Sequence, residues 1–293
     1  MMEVREDAVA HTAPGASGGD ASGGAAAPLL RVKDLHVHRG EAHILHGLDF
    51  EVAPNRVTAL LGRNGVGKTT TLLSLLGLLP SKGQIEFDGE DISPQPTHRR
   101  VQGGLAYVPE DREVFTQLTV EENLRLAMQW PESEGRLPMV HDLFPELKKR
   151  SAQKAGSLSG GQQQMLALGR ALLHPAKLLL IDEPTKGLAP IIITEVVAAL
   201  SQATADSTVL LVEQNLRVAE ELATDAVVLD EGQVAWRGRM DAMLADADLK
   251  QSLLGVGRAR PAGEDGRTRS AEGDGRARPD EGADGSEDTE VGA

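Results

Sequence analysis

The chain contains no cysteine, so it can form neither a disulfide nor a thiolate metal site, an absence that fits a reducing cytosol. Aromatic side chains make up only 2% of it, as two Trp, one Tyr and four Phe, so aliphatic packing must dominate any core. The 40% apolar content supplies enough material for that core. Apolar runs are short: none approaches the roughly 20 residues that a membrane helix requires. The N-terminus also lacks the apolar stretch of a secretory signal. A role at a membrane would have to come through partner chains. Positive charge is in deficit, with 30 Lys and Arg against 44 Asp and Glu and a formal net charge of −14. A surface for the phosphate backbone of nucleic acid needs the opposite balance, so no nucleic-acid partner is expected.

Two segments are poor in large apolar residues. Residues 1–27 are rich in Ala, Gly and Ser, and residues 257–293 are largely Gly, Ala, Arg, Asp and Glu. Neither can bury enough apolar surface to offset the entropy of ordering, so both are predicted to be disordered tails, the second net acidic. The 293 residues leave room for one domain of ordinary size or two small ones.

What is present is organised around Gly62-Arg63-Asn64-Gly65-Val66-Gly67-Lys68-Thr69-Thr70, which fits the phosphate-binding pattern G-x-x-x-x-G-K-[ST] at every fixed position. Val57-Thr58-Ala59-Leu60-Leu61 before it reads as a buried strand, and Thr71-Leu72-Leu73-Ser74-Leu75-Leu76 after it as the start of a helix. In a strand–glycine loop–helix unit, successive backbone N–H groups converge on an anion at the positive end of the helix. Lys68 can then reach the β- and γ-phosphates of a nucleotide, and the Thr69 hydroxyl can ligate Mg²⁺.

Around this loop the pattern alternates between strand and helix. Leu30–Val37, Ile44–Val52 and Gln84–Gly89 alternate apolar and polar residues as half-buried strands do, and suggest a small antiparallel sheet beside the nucleotide core. Four histidines, His36, His38, His43 and His46, crowd that sheet without a carboxylate or cysteine set at ligand spacing, and are expected to be strand-surface residues. From about Arg112 to Ser157 the chain reads helical. Thr119-Val120-Glu121-Glu122 matches a capping box ahead of Asn123–Met128, Trp130-Pro131 ends that helix, and Val140–Lys149 is predicted to form another. Later, Leu216–Ala223 reads as a helix. Ala226–Leu229 and Gln233–Arg237 read as strands about a Glu231-Gly232 turn, and about Asp241 to Leu254 as a closing helix.

Two further stretches carry chemistry. In Leu158-Ser159-Gly160-Gly161-Gln162-Gln163-Gln164, Ser159 is a natural N-cap for the helix Met165–Leu173, and the two glycines leave free N–H groups for an anion. Lys177-Leu178-Leu179-Leu180-Ile181-Asp182-Glu183-Pro184 is an apolar run ending in two acids, the pattern of a fully buried parallel strand whose carboxyl end faces a ligand.

L-S-G-G-Q together with the P-loop resembles the signature of ATP-binding-cassette (ABC) ATPases, over about residues 29–255. The resemblance implies an α/β P-loop NTPase fold: a RecA-like core, an antiparallel β subdomain and a helical subdomain at about residues 112–175, together forming an ATPase domain at residues 28–256. It implies ATP and Mg²⁺ as ligands, and ATP hydrolysis coupled to transport through separate membrane subunits. Two ATPase domains pair head to tail in that family, so Ser159, Gly160, Gly161 and Gln162 would act in trans on the partner's γ-phosphate. Asp182 resembles the Mg²⁺-orienting acid and Glu183 the carboxylate that positions or polarises the attacking water.

Finer departures point to a subfamily. Glu110 in Tyr107-Val108-Pro109-Glu110 stands where many cassettes carry a glutamine that touches Mg²⁺, and Gln214 in Leu211-Val212-Glu213-Gln214-Asn215 stands where a histidine usually contacts the γ-phosphate. Leu188-Ala189-Pro190 replaces the usual Leu-Asp-Pro. Taken together, V-P-E, L-T-V-E-E-N-L, G-L-A-P-I-I-I and L-V-E-Q-N resemble the second ATPase subunit of branched-chain (hydrophobic) amino-acid importers. That resemblance implies a second ABC ATPase subunit as heterodimer partner, two integral-membrane permeases and an extracytoplasmic substrate-binding protein. It places the chain in the cytoplasm, peripheral on the inner face of the cell membrane. Three features fit it less well: Asp111 replaces a glycine, Gln162-Gln163-Gln164 is at least as close to urea and short-amide importers, and Arg39 stands where an aromatic usually stacks on adenine. A guanidinium plane can stack on a base as well. An exporter or lipid-extracting complex uses the same motifs, and a soluble cassette of translation or DNA repair usually carries a second cassette or a long coiled coil, neither of which is seen here. Gln214, a neutral amide, cannot bear charge as a histidine can, which predicts slower turnover at this P-loop than at its partner's.

Overall fold

The computed structural model describes residues 27–254 except residue 206. The predicted tails at residues 1–27 and 257–293 lie outside the described residues, apart from Ala27.

The chain opens with the hairpin of β1 (Leu30–Arg39) and β2 (Ala42–Val52), after which β3 (Val57–Leu61) runs into helix α1 (Lys68–Leu75). Strands β4 (Ser81–Phe87) and β5 (Glu90–Asp91) complete an antiparallel four-stranded sheet of order β2-β1-β4-β5, which is the small sheet predicted from the alternation. Helix α2 (Thr97–Gln102) and strand β6 (Leu105–Val108) follow.

A helical region comes next: α3 (Val120–Ala127), α4 (Ser133–Leu143), α5 (Pro145–Lys149) and α6 (Gly160–Leu172). The predicted capping box at Thr119 is present, with Glu122 N–H donating to Thr119 Oγ1 at 3.1 Å and Thr119 N–H to Glu122 Oε2 at 2.8 Å. The helix it starts ends at Ala127, before Trp130-Pro131. The single helix expected over Val140–Lys149 is two. Phe144, ahead of Pro145, takes a non-helical conformation (φ −127°, ψ 72°), because the proline ring crowds a helical residue before it, and Pro145 then opens α5 at its first position. At the centre of the region Gly169 on α6 leaves no side chain between the helices. A Cβ there would lie 3.0 Å from Val140 of α4, 3.4 Å from Leu147 of α5 and 3.6 Å from Leu124 of α3.

The remaining chain returns to the core through β7 (Leu178–Asp182), α7 (Pro190–Ala203), β8 (Thr208–Val212), α8 (Leu216–Leu222), β9 (Asp225–Asp230), β10 (Gln233–Arg239), α9 (Met240–Ala245) and α10 (Ala247–Leu254). The closing helix expected from Asp241 to Leu254 is thus also broken, at Asp246, whose carboxylate accepts from Leu249 N–H at 2.8 Å and caps the second piece. The second sheet has the order β10-β9-β3-β8-β7-β6, parallel except for the β10 edge.

Its central strands are buried on both faces, which explains their continuous apolar runs. On β7, Leu178 and Leu180 face the layer shared with the small sheet and α1, while Leu179 and Ile181 face the layer shared with the helical region. β3, β8 and β9 alternate the same way. The architecture is a mainly parallel α/β core with an antiparallel β sheet and a helical region beside it, the three parts that the resemblance implies. Among the described residues, no helix is long and apolar enough to cross a membrane.

Candidate functional site

Parallel strands present their carboxyl ends at one edge, and the sequence places a polar segment after each. Residues 62–70 follow β3, Glu110 follows β6, Asp182 and Glu183 close β7, and Glu213 to Asn215 follow β8.

The first segment folds as the pattern predicts. Gly62 (φ 145°) must be glycine, since a Cβ would collide with the Leu229 carbonyl oxygen, and Gly67 (φ 105°) would collide with Leu45 of β2. Gly67 is the N-cap of α1, and its carbonyl accepts from the N–H and the hydroxyl of Thr71 at 2.8 and 2.9 Å. Arg63, Asn64, Gly65 and Thr69 are exposed on this loop, Val66 half-buried, and Thr70 buried beneath it. Lys68 is 5% exposed, with Nζ donating to the Gly62 and Arg63 carbonyls at 2.9 and 3.1 Å. Burial lowers its pKa, opposed by the nearby carboxylates of Glu183 and Asp182. An ammonium held by two carbonyls of its own loop could exchange them for the oxygens of an anion.

Asp182 is fully buried, and neither carboxylate oxygen has a hydrogen-bond partner among the described residues. Burial pushes its pKa up to about 6, with the Thr69 hydroxyl side of the loop pulling the other way. Two orphaned carboxylate oxygens beside an exposed threonine are a donor set that a divalent cation would satisfy. Among the described residues no three His, Asp or Glu side chains are grouped as a metal cage. A cation that takes one or two carboxylates and completes its shell with phosphate and water needs no cage.

Glu183 follows in the left-handed region (φ 43°), with its N–H donating to the Val212 carbonyl at 2.9 Å. A non-glycine residue there is strained and needs its surroundings to hold it. Its Oε1 lies 3.7 Å from Lys68 Nζ and its Oε2 3.2 Å from Lys186 Nζ, which in turn is 2.6 Å from Glu110 Oε1. Gln214 reaches the P-loop directly, donating from Nε2 to Asn64 Oδ1 at 2.8 Å.

Glu213 and Lys186 were invisible to motif reasoning. Glu213 is buried and accepts from the Thr185 hydroxyl at 2.7 Å and from the N–H groups of Gln214 and Asn215, both at 3.1 Å. It ties the turn after β7 to the segment after β8. Burial raises its pKa, and these hydrogen bonds oppose the shift. Lys186 stands three residues beyond Glu183, and only that spacing hinted at a pairing.

The remaining candidates are not drawn in. Ser159–Gln162 forms a capping box at the start of α6: Ser159 N–H donates to Gln162 Oε1 at 3.0 Å, and Gln162 N–H to Ser159 Oγ at 3.3 Å. Gly161 packs so closely on Ile192 of α7 that a Cβ would meet its methyl at 2.5 Å, and Gly160 lies beside the Arg112 guanidinium. No hydrogen bond or ion pair among the described residues joins this loop to the P-loop of its own chain. Arg39 stands exposed at the end of β1, and its side chain makes no hydrogen bond or ion pair among the described residues. The four histidines beside it lie on the sheet surface and stack, with His38 and His43 rings 4.1 Å apart and nearly parallel, and His43 and His46 4.0 Å apart.

Comparison with known proteins gives a consistent picture. Residues 45–186 match the family described as ABC transporter. The chain is 39% identical over 232 residues to the high-affinity branched-chain amino acid transport ATP-binding protein BraG of Pseudomonas aeruginosa, covering 78% of this chain and 100% of that one. It is 38% identical over 234 residues to a probable branched-chain amino acid transport ATP-binding protein, LivF, of Archaeoglobus fulgidus, covering 78% and 99%. A solved structure described as the ATP binding subunit of an ABC transporter superposes with a TM-score of 0.66 at 32% identity, covering 78% of this chain and 96% of that one.

Proposed function

Because the chain belongs to the ABC transporter family as an ATP-binding, ATP-hydrolysing subunit, we propose that it energises the import of branched-chain amino acids, within an ATPase domain spanning residues 28–256. Subunits of this kind associate with membrane permeases. Its specific partners, in this reading, are a second, different ABC ATPase subunit, two permeases and an extracytoplasmic binding protein, which place the chain on the inner face of the cell membrane. The names of the similar transport proteins support the substrate class. The glutamine run that also resembles urea and amide importers has a local explanation: Gln162 closes the capping box, Gln163 Nε2 donates to the Ala155 carbonyl at 3.1 Å, and Gln164 is buried in the helix packing. It therefore carries no weight for substrate.

The single observation that carries the ATPase reading is the convergence of Lys68, Asp182, Glu183 and Gln214 at the end of one parallel sheet. The N–H groups of residues 63–67 cradle the β- and γ-phosphates, and Lys68 moves its ammonium from the loop carbonyls onto them. Thr69 and the two orphaned oxygens of Asp182 would hold Mg²⁺, with Glu110 near it. When bound, that ion neutralises charge that develops on the phosphate oxygens. Glu183 accepts a hydrogen bond from the attacking water and orients it, and Gln214, anchored on Asn64, donates to the γ-phosphate. The base of ATP stacks on Arg39. Ser159, Gly160, Gly161 and Gln162 turn away from their own P-loop and donate N–H and hydroxyl groups to the nucleotide held by the partner. The segment Glu110 to Phe115 and the helices after it form the surface that meets the permeases.

The test is to isolate the chain with its native partners, identify what co-purifies and assay ATPase with and without Glu183→Gln. Two multi-span permeases, a second cassette and a loss of hydrolysis in the variant are expected. Copies of this chain alone, or a ribosome, would overturn the importer reading.

A further inference from the structure

Strands β6 and β7 run parallel with Val108 opposite Ile181, so Glu110 and Glu183 stand at equivalent positions two residues beyond the paired ends. Neighbouring strands lie about 4.8 Å apart, and two carboxylates so placed repel each other. Lys186 sits between them. The turn that begins at Glu183 is closed by Lys186 N–H donating to the Glu183 carbonyl at 3.1 Å, and it returns the lysine side chain over both acids. Its Nζ reaches Glu110 Oε1 at 2.6 Å and Glu183 Oε2 at 3.2 Å, which leaves Oε1 of Glu183 to Lys68 at 3.7 Å. Each oxygen of Glu183 thus has its own cation, and one of those cations is shared with a residue on another loop.

We propose that Lys186 is a positioning residue of the ATPase site, fixing the direction of the Glu183 carboxylate and tying it to Glu110. The consequence is mechanical. Glu110 begins the segment of residues 110–115, and a displacement of that segment is carried through the ammonium to the carboxylate that orients water. The contacts of the Lys186 ammonium are to the two carboxylates, so as a positioning residue its effect is expected on turnover and not on binding. The inference rests on the reading of Glu183 given above.

Its test uses the chain purified with its partners and measures the part of the ATPase rate that Glu183→Gln removes. Lys186→Met is expected to lower kcat about tenfold with KM unchanged within about twofold, and Lys186→Arg, which can also pair both acids, to retain most of the rate. In a Glu110→Gln background the neighbouring carboxylate is gone and the new amide can itself donate to Glu183, so the same Lys186→Met change should cost less than about threefold. Binding of a fluorescent ATP analogue in EDTA should be the same in all these variants. Equal losses in both backgrounds, or weaker analogue binding with kcat unchanged, would overturn the proposal and make Lys186 an ordinary cation of the site. Retention of ATPase by Glu183→Gln is a separate outcome, which removes the reading of Glu183 itself.

Discussion

Asp182 shows burial and function pulling in opposite directions. Its pKa rises from 3.8 to about 6 because the folded chain withdraws the carboxylate from water, with the Glu183 and Glu110 charges adding to the rise and the Thr69 hydroxyl and Lys68 opposing it. The folded form then binds the proton more tightly than the unfolded form. Between about pH 4 and 6 the unfolded chain has lost a proton that the folded chain still holds, so stability falls as pH rises through that window and the full penalty is present above it. At 1.36 kcal/mol per pKa unit this penalty is on the order of 3 kcal/mol. Asp182→Asn should therefore make the chain in EDTA more stable by about 1–3 kcal/mol at pH 7, with the gain fading toward pH 4, measured by urea unfolding. Mg²⁺ with ATP should restore the order by stabilising the wild type more than the variant. A variant no more stable than wild type at pH 7 would sink the argument. Gln214 gives a second residue-scale test. Its amide hydrogen-bonds Asn64 at 2.8 Å and cannot carry charge. In the assembled transporter, Glu183→Gln and the partner's equivalent change should therefore reduce ATPase unequally, and equal losses would refute the asymmetry.

Between residue and fold stands the support of helix α1, whose N-terminus is the proposed phosphate cradle. Its C-terminal carbonyls are held by Arg100, 3% exposed, which donates to Ser74 O at 2.9 Å and Leu75 O at 2.8 Å and reaches on to Ser93 O and Gln95 O, both at 2.9 Å. Burial lowers its pKa, and the carbonyls stand in for the water it has lost. Arg100→Ala leaves buried carbonyls unpaired beneath the helix and should destabilise the chain by about 2–4 kcal/mol, read as a lower urea midpoint with unchanged slope. A loss within about 0.5 kcal/mol, the ordinary range for surface changes, would show that the cap is dispensable. Nothing in the sequence around Arg100 announces this role, because its partners are backbone atoms up to 26 residues away. The legible elements were those with a local cause. The glycine loop, the Thr119 and Ser159 caps and the Leu178–Asp182 run each follow from a few adjacent residues, and each stands as read. The breaks at Phe144 and Asp246 were missed because apolar spacing continues across them. Pro145 carried a signal for the first, and Asp246 as a cap carried one for the second. The long-range contacts of Lys186 and Glu213, to Glu110 and to Thr185, could not be found from spacing, since they cross between neighbouring strands whose order only the sheet reveals.

At the scale of the whole molecule, one chain holds two anion-binding helix ends that do not meet. The P-loop end of α1 lies at the carboxyl edge of the sheet with Lys68, Asp182 and Glu183, whereas the start of α6 packs on Arg112 and Ile192. The two ends sit on separate parts of the fold, one after β3 and the other in the helical region, and no hydrogen bond or ion pair among the described residues joins them. In the head-to-tail pairing proposed above, a second ATPase subunit would bring its nucleotide to the start of α6. The expected behaviour of Ser159→Arg follows. The side chain it introduces would block the partner's nucleotide from the Gly160 and Gly161 N–H groups and leave this chain's own P-loop untouched. In the isolated chain, a fluorescent ATP analogue should bind the variant and the wild type equally, within about twofold. In the assembled transporter, hydrolysis at the partner's P-loop should fall by about 100-fold or more, because an oxyanion-type donor set is lost at once. The converse result, weaker binding in the isolated chain with the assembled ATPase intact, would mean that the loop serves its own nucleotide and that the head-to-tail arrangement is wrong.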